Sequence, residues 1–350
     1  MPSQDPILTL LTEGITATAE LIGSQDEAAR TAAEASWSTF EAKLRAHPEA
    51  SPLGQLTERF RLTGFELRCI VLGLASHIEP RMSAVVASSG RDVFSRTITV
   101  RLTLDRFCTT APERLAARKS FLNAGALIRH GLVALGKAEA GASEGLLARR
   151  LQLTTPTLRF LLQEDELSES VAKLARLDTP DLSLFNVIIE TSELTQVREL
   201  VENHNRYRRL ISDWGFDQVL PYGRGLTMLF SGPSGTGKTL LAHALASHVD
   251  RPVISLSAAD LPENEGIDGA LRDLFSEATM RDAFVLIDEC EALLGKSDKR
   301  KATAFKALEE FEGILVLTTN HPERLDDALE RRIIYTLAFE VPDAPLRRQI

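Results

Sequence analysis

Aromatic residues are scarce in this 350-residue chain, at 6% of positions. With Ala and Leu abundant, that shortage leads us to expect a largely helical protein. Cysteine is rarer still. Cys69, Cys108 and Cys290 are odd in number and far apart, which excludes a disulfide framework and any metal-ligand spacing. Reduced thiols in the cytoplasm are the expectation. No apolar run approaches the ~18 residues of a membrane span. The opening Met1-Pro-Ser-Gln-Asp-Pro6 lacks the basic and then apolar regions of a secretory leader. An excess of positive charge is missing too. Residues 1–180 hold 21 basic and 21 acidic side chains, and residues 181–350 hold 19 and 28, so the second half carries the whole net charge of −9. Non-specific nucleic-acid affinity comes mainly from Lys and Arg, so nucleic acid is a disfavoured partner.

What remains is an ordinary globular composition, 44% hydrophobic and 25% charged. The length favours two or three domains of ~100–200 residues each. Helical spacing of apolar residues predicts helices over 7–22, 28–44, 53–60, 65–78 and 112–122. Leu127–Leu135 reads as a strand, Gly136–Gly145 as a flexible tip and Leu146–Leu153 as the returning strand. Pro156 then sits in the first turn of a new helix. Helices followed by a hairpin predict a winged-helix-like domain over 1–178. From 179 to 350, strand and helix signals alternate, which predicts a parallel α/β sheet with helices on both faces. Its elements are a helix over 192–214, strands over 226–231, 252–257, 283–287, 314–319 and 334–339, and helices over 240–246, 269–280, 299–311 and 326–332.

Three ordered sequences in this second domain carry chemistry. Gly232-Pro233-Ser234-Gly235-Thr236-Gly237-Lys238-Thr239 lies between an apolar strand and a helix. In that setting, glycines let successive N–H groups bind phosphate oxygens at the helix N-terminus. Lys238 then reaches the β- and γ-phosphates of a nucleoside triphosphate, and the Thr239 hydroxyl holds Mg²⁺. Next, Ala283-Phe-Val-Leu-Ile-Asp288-Glu289 ends a buried strand in two carboxylates. Asp288 is expected to support Mg²⁺ and Glu289 to polarise the attacking water. Ile314-Leu-Val-Leu-Thr-Thr-Asn320 ends a third strand in an amide suited to that water or the γ-phosphate. By itself, Asn before His321-Pro322 is equally a turn signal, and Arg331 and Arg332 equally complement a helix dipole.

Taken in order, the glycine loop, the Asp-Glu strand, Thr-Thr-Asn and Leu325-Asp-Asp-Ala-Leu-Glu-Arg-Arg332 resemble the AAA+ ATPases, specifically the AAA family proper. The resemblance covers about residues 181–350. It implies a P-loop NTPase core using ATP and Mg²⁺, with Asn320 as the γ-phosphate sensor. It further implies that Arg331 and Arg332 are arginine fingers projecting into a neighbouring subunit's site, and that Val187 and Ile188 lie in the adenine-contacting segment. A homo-oligomeric ring, usually a hexamer, follows as the working form. The N-terminal half, with Phe65-Glu-Leu-Arg-Cys-Ile-Val-Leu-Gly-Leu-Ala75, resembles the winged-helix-like region of bacterial AAA ATPases, some of them encoded with contractile injection systems.

The chain departs from the family in three places. Asn264 or Glu265 stands where polypeptide-threading members carry a pore aromatic. The stretch from Glu291 to Phe311 is short. The sequence stops at Leu346–Ile350, where a helical lid is expected to begin. The function expected is Mg-dependent ATP hydrolysis in a ring that remodels or assembles a protein partner. Its rivals are a nucleotide-gated scaffold with slow turnover and a DNA-associated AAA+ ATPase.

Overall fold

The computed structural model describes residues 6–24, 26–79, 82, 97–123, 125–138, 145–164, 166–187, 189–214, 225–261, 267–296, 298 and 300–341. It divides into two compact units, Met1–Asp165 and Glu166–Ile350. The division falls upstream of the expected 178/179 boundary. Val171 and Ala175 join the second unit's core, and the short strand after them pairs within that unit's sheet.

The first unit begins with α1 (Pro6–Gly23), α2 (Glu27–Ala46), α3 (Pro52–Arg59) and α4 (Gly64–Ile78). Local chemistry sets their starts. Asp26, Ser51 and Thr63 cap α2, α3 and α4, each side chain accepting a backbone N–H of the first turn. At α4, Glu66 returns the bond to the Thr63 backbone at 3.0 Å, completing a capping box. Trp37, Phe40 and Leu44 of α2 and Leu67, Ile70 and Leu74 of α4 are buried in the core. Then come α5 (Val100–Phe107), α6 (Ala111–Arg118) and the single-turn α7 (Ala126–Arg129). A hairpin of β1 (Val133–Ala138) and β2 (Arg149–Leu153) follows, and α8 (Thr155–Leu161) closes the unit with Pro156 in its first turn.

The hairpin registers Val133 opposite Leu153 and Leu135 opposite Leu151, so apolar side chains share one face. Leu153 packs onto Gly73 of α4, where an added Cβ would come within 2.8 Å of its side chain. The strand expected over Leu127–Leu135 is corrected in its first half. Leu127 lies in α7, whose turn is closed by Leu132 N–H donating to the Leu127 carbonyl at 3.0 Å. Gly131 leaves that turn with φ 63°, a left-handed conformation that glycine adopts without strain. Strand also replaces the expected tip at Gly136–Ala138, whereas residues 139–144 lie outside the described set.

The second unit starts with α9 (Glu169–Ala172) and β3 (Arg176–Asp178), followed by α10 (Thr191–Asp213). The alternating core runs β4 (Leu226–Ser231), α11 (Lys238–His248), β5 (Val253–Ser257), α12 (Ile267–Arg281), β6 (Phe284–Asp288), α13 (Glu291–Leu294), α14 (Lys301–Glu310), β7 (Ile314–Thr319) and β8 (Tyr335–Ala338). The strands lie in the order β3-β5-β6-β7-β4-β8. Five are parallel; β3 adds an antiparallel edge that the sequence pattern did not predict. Every side chain of β4 and β7 is buried, as strands covered on both faces require. One core cluster holds α12, α13 and α14 residues, and the other holds α10 and α11 residues, so helices cover both faces.

The helix expected over 326–332 is corrected to a 3₁₀ turn, Asp327–Leu329. The Asp326 carboxylate takes the Ala328 N–H at 2.9 Å, and Lys301 holds the same carboxylate at 2.6 Å. By Ile334 the chain is already donating to Thr227 of β4. Pinned at both ends, the segment is too short for further helical turns. Among the described residues, no helix is long and apolar enough to cross a membrane.

Candidate functional site

Strand β4 sits between β7 and β8, so its carboxyl end opens where the chain order along the sheet reverses. Such reversals leave a crevice at the strand ends, and ligands of open parallel sheets bind there. The glycine loop leaves β4 at this point. Gly232 N–H donates to Thr319 of β7 at 3.2 Å, and Phe339 N–H donates to Ser231 at 2.7 Å, which roots the loop in both neighbours. Gly232 has φ 140°, and an added Cβ would stand 2.1 Å from the Phe339 carbonyl, so no other residue fits. Gly235 and Gly237 also have positive φ, but among the described residues a Cβ on either meets nothing within 4 Å. Their backbones therefore border open space, as a phosphate cradle requires. Pro233 and Ser234 are exposed at the rim, and the Thr236 hydroxyl donates to the Pro233 carbonyl at 2.9 Å.

Lys238 is 6% exposed at the start of α11. Its ammonium donates to the carbonyls of Gly232 at 2.8 Å and Pro233 at 2.7 Å, and to Oδ1 of Asn320 at 2.9 Å. All three acceptors are neutral. Burial holds its pKa below the ordinary lysine value, opposed at longer range by the charges of Asp288 and Glu291. A buried cation whose bonds leave its charge uncompensated favours an incoming anion.

The acids face this group from β6. Thr239 Oγ1 donates to Oδ2 of Asp288 at 3.2 Å, and Thr318 of β7 donates to Oδ1. Glu289 leaves the strand with φ 52°, which is uncommon for a side chain with a Cβ. Its N–H donates to Asp288 at 3.2 Å, and its carboxylate accepts from Ser257 of β5 at 3.4 Å. The Cys290 N–H bonds to the Thr318 carbonyl at 3.0 Å, and burial pushes the thiol's pKa far up, so it acts as an inert apolar filler.

Two hydrogen-bonded pairs, Lys238–Asn320 and Thr239–Asp288, thus stand on consecutive residues of α11, and the Glu289 N–H bonds to Asp288. The other expected residues lie apart from these bonds. Val187 is buried in the cluster that includes Leu241 and Leu245 of α11. Ile188 and the stretch with Asn264 and Glu265 lie outside the described residues, as does Leu346–Ile350. Arg331 is exposed, whereas Arg332 is half-buried against α14. Sequence reasoning missed Thr318, Ser257 and Glu291. For Thr318 the available signal was a pair of hydroxyls, Thr318-Thr319, ending a strand that is otherwise aliphatic and buried. Ser257 had no such signal. Glu291 Oε2 is buried without a hydrogen-bond partner among the described residues.

These residues fit a triphosphate and its metal: an open cradle of main-chain N–H groups, an uncompensated ammonium, and a hydroxyl paired with a carboxylate for a hard cation. Fold and site define an AAA+-type nucleotide-binding core, preceded by a mainly helical winged-helix domain. The comparisons agree. Residues 228–341 match the model for the ATPase family associated with various cellular activities (AAA), and residues 13–175 match the model of a winged helix domain, variant. Within the C-terminal unit, residues 228–341 are thus similar to an AAA ATPase domain. The chain is similar to the ATP-dependent zinc metalloprotease FtsH of Cutibacterium acnes (strain SK137), 33% identical over 205 residues, covering 52% of this chain and 27% of that protein. It is 35% identical over 184 residues to the FtsH of Marinobacter nauticus, covering 47% and 28%. It therefore spans little more than a quarter of these relatives. A crystal structure of the FIGL-1 AAA domain in complex with ADP aligns with a TM-score of 0.41 and 22% identity, covering 53% of this chain and 66% of that one.

Proposed function

We propose that this chain is a Mg-dependent ATPase acting in a ring-shaped homo-oligomer, which couples hydrolysis to remodelling or assembling a protein partner. The observation that carries the catalytic half is Lys238, a buried ammonium that among the described residues bonds only to neutral oxygens, one of them the amide oxygen of Asn320. Main-chain N–H groups of Gly232–Thr239 bind the phosphates, and Lys238 exchanges loop carbonyls for phosphate oxygens. Thr239 and Asp288 hold Mg²⁺, which when bound neutralises the developing charge. Glu289 accepts a proton from water, and Asn320, released from Lys238, orients toward the γ-phosphate. Val187 and Ile188 border the adenine.

The Arg331–Arg332 pair serves the neighbouring copy's site. The surface position of Arg331, which makes no hydrogen bond to its own glycine loop among the described residues, supports this. An arginine finger is worth about 10³–10⁵ in rate, so isolated subunits turn over slowly. Steady-state turnover per subunit should rise steeply with protein concentration as rings form. Constant turnover across the assembly range rejects the ring. A component of a contractile injection system is the partner class we propose, resting on the N-terminal resemblance alone. Asn264 and Glu265 in place of a pore aromatic favour a second role, a scaffold whose slow hydrolysis resets assembly. Nucleotide-dependent assembly without partner-stimulated turnover selects it.

A further inference from the structure

The two adjacent arginines have different surroundings. Arg332 pairs with Oε1 of Glu309 at 2.5 Å, donates to the Ala328 carbonyl, and lies 4.7 Å from the Phe305 ring centroid. Phe305 and Glu309 are four residues apart on α14, so they share one face and hold the guanidinium from two sides. Arg331 is exposed, and the described residues offer it no hydrogen bond or ion pair. The same helix fixes the other end of the segment, where Lys301 binds Asp326 at 2.6 Å. Lys301 and Glu309 stand eight residues apart, about 12 Å along the axis. The 326–332 segment is therefore clamped at two points of one helix, with Arg331 just before the second clamp. That segment also pairs with the stretch after the acids: Asp326 N–H donates to Leu294 at 3.0 Å, and Lys296 N–H to Arg324 at 3.2 Å.

We propose that the pair divides its labour: Arg331 alone reaches the neighbouring copy's nucleotide, and Arg332 is a positioning residue locked in its own subunit by Glu309 and Phe305. For Arg332 to reach outward it would have to leave a half-buried carboxylate and a ring face together, stranding Glu309 without its cation. This inference rests on the ring reading above, and the experiment separates the two.

Subunits carrying Glu289→Gln donate arginines but do not hydrolyse, and subunits carrying Arg331→Ala hydrolyse only with a donated arginine. Mixing the two should restore ATP turnover. No restoration sinks the ring, and this division with it. Given restoration, Glu289→Gln/Glu309→Gln donors should rescue less well, by up to about a hundredfold, the cost of misplacing a catalytic group by about 1 Å. Equal rescue by both donors overturns the proposal while leaving the ring intact. As a homo-oligomer, Glu309→Gln should lower kcat with unchanged affinity for a non-hydrolysable ATP analogue and an unchanged melting temperature. A fall in that affinity or in melting temperature instead assigns Glu309 a merely structural role and also overturns it. Arg332→Lys, which keeps a cation beside Glu309, should retain most turnover, whereas Arg331→Lys should lose about 10³-fold or more. Equal losses from these two substitutions count against it.

Discussion

Arg68 in the N-terminal unit and Lys238 in the C-terminal unit are both largely buried cations, and their partners differ in kind. Arg68 binds both carboxylate oxygens of Glu34, at 3.0 and 2.6 Å, and its guanidinium lies 5.3 Å from the Trp37 ring. Its charge is cancelled within the unit, and its planar donors are matched to a planar acceptor. Lys238 spends its three protons on two carbonyls and an amide. A closed ion pair has nothing to gain from an outside anion; an ammonium on neutral acceptors gains a full charge interaction. The same buried-cation motif therefore serves packing in one unit and ligand capture in the other, decided by whether a carboxylate is in bonding range.

Substitution should break this contrast most plainly at Lys238. Lys238→Ala removes two or more charge-assisted bonds to phosphate, a loss of about 3–6 kcal/mol of binding. Calorimetry should then detect no ATP binding, while the fold survives. Undiminished affinity would refute the assignment. Next comes Glu289→Gln. General-base removal typically costs about 10²–10⁴ in rate, so this variant should bind ATP and barely hydrolyse it. Wild-type turnover returns Glu289 to a plain turn residue. Arg68→Ala supplies the opposite result. It should destabilise the N-terminal unit by about 2 kcal/mol, less than the 3–5 of a fully buried pair because Glu34 is partly exposed, and leave nucleotide affinity alone. An effect on ATP binding would show that the two cations are not independent.

The candidate site was legible because its chemistry is written contiguously: a glycine loop, an acidic strand end and an amide strand end each lie within eight residues. Their convergence follows from the parallel order of β4, β6 and β7, which brings strand carboxyl ends to one edge. Partners supplied from a distance were not legible. Glu309 looks like an ordinary solvated helix residue until α14 meets the 326–332 segment. The same limit applied to the fold. Val100-Arg-Leu-Thr-Leu alternates like a strand, yet Thr99 caps a helix there through the Leu102 N–H. Thr103 is buried and donates to the Val100 carbonyl at 2.9 Å, so the polar residue that broke the helical pattern is satisfied inside it. β3, three residues long, has no periodicity to read; only its pairing with β5 makes it a strand.

The smallest effect tests a third buried charge, Glu277 of α12. It is 2% exposed and accepts from the Ser168 N–H at 3.0 Å and from the Ser168 hydroxyl. Those bonds favour its ionised form, but burial outweighs them and raises its pKa above the usual carboxylate range. A raised value means the folded protein holds this proton at a pH where the unfolded chain has released it. The resulting stabilisation is complete below the unfolded carboxyl pKa and is lost as pH rises through the folded one. Glu277→Gln imitates the protonated acid at every pH and keeps an acceptor for Ser168. Urea midpoints should therefore move in favour of the Gln variant as pH is raised from 4 to 8. A difference between the two proteins that stays constant with pH would mean that burial leaves this carboxyl's proton affinity the same in the folded and unfolded chain.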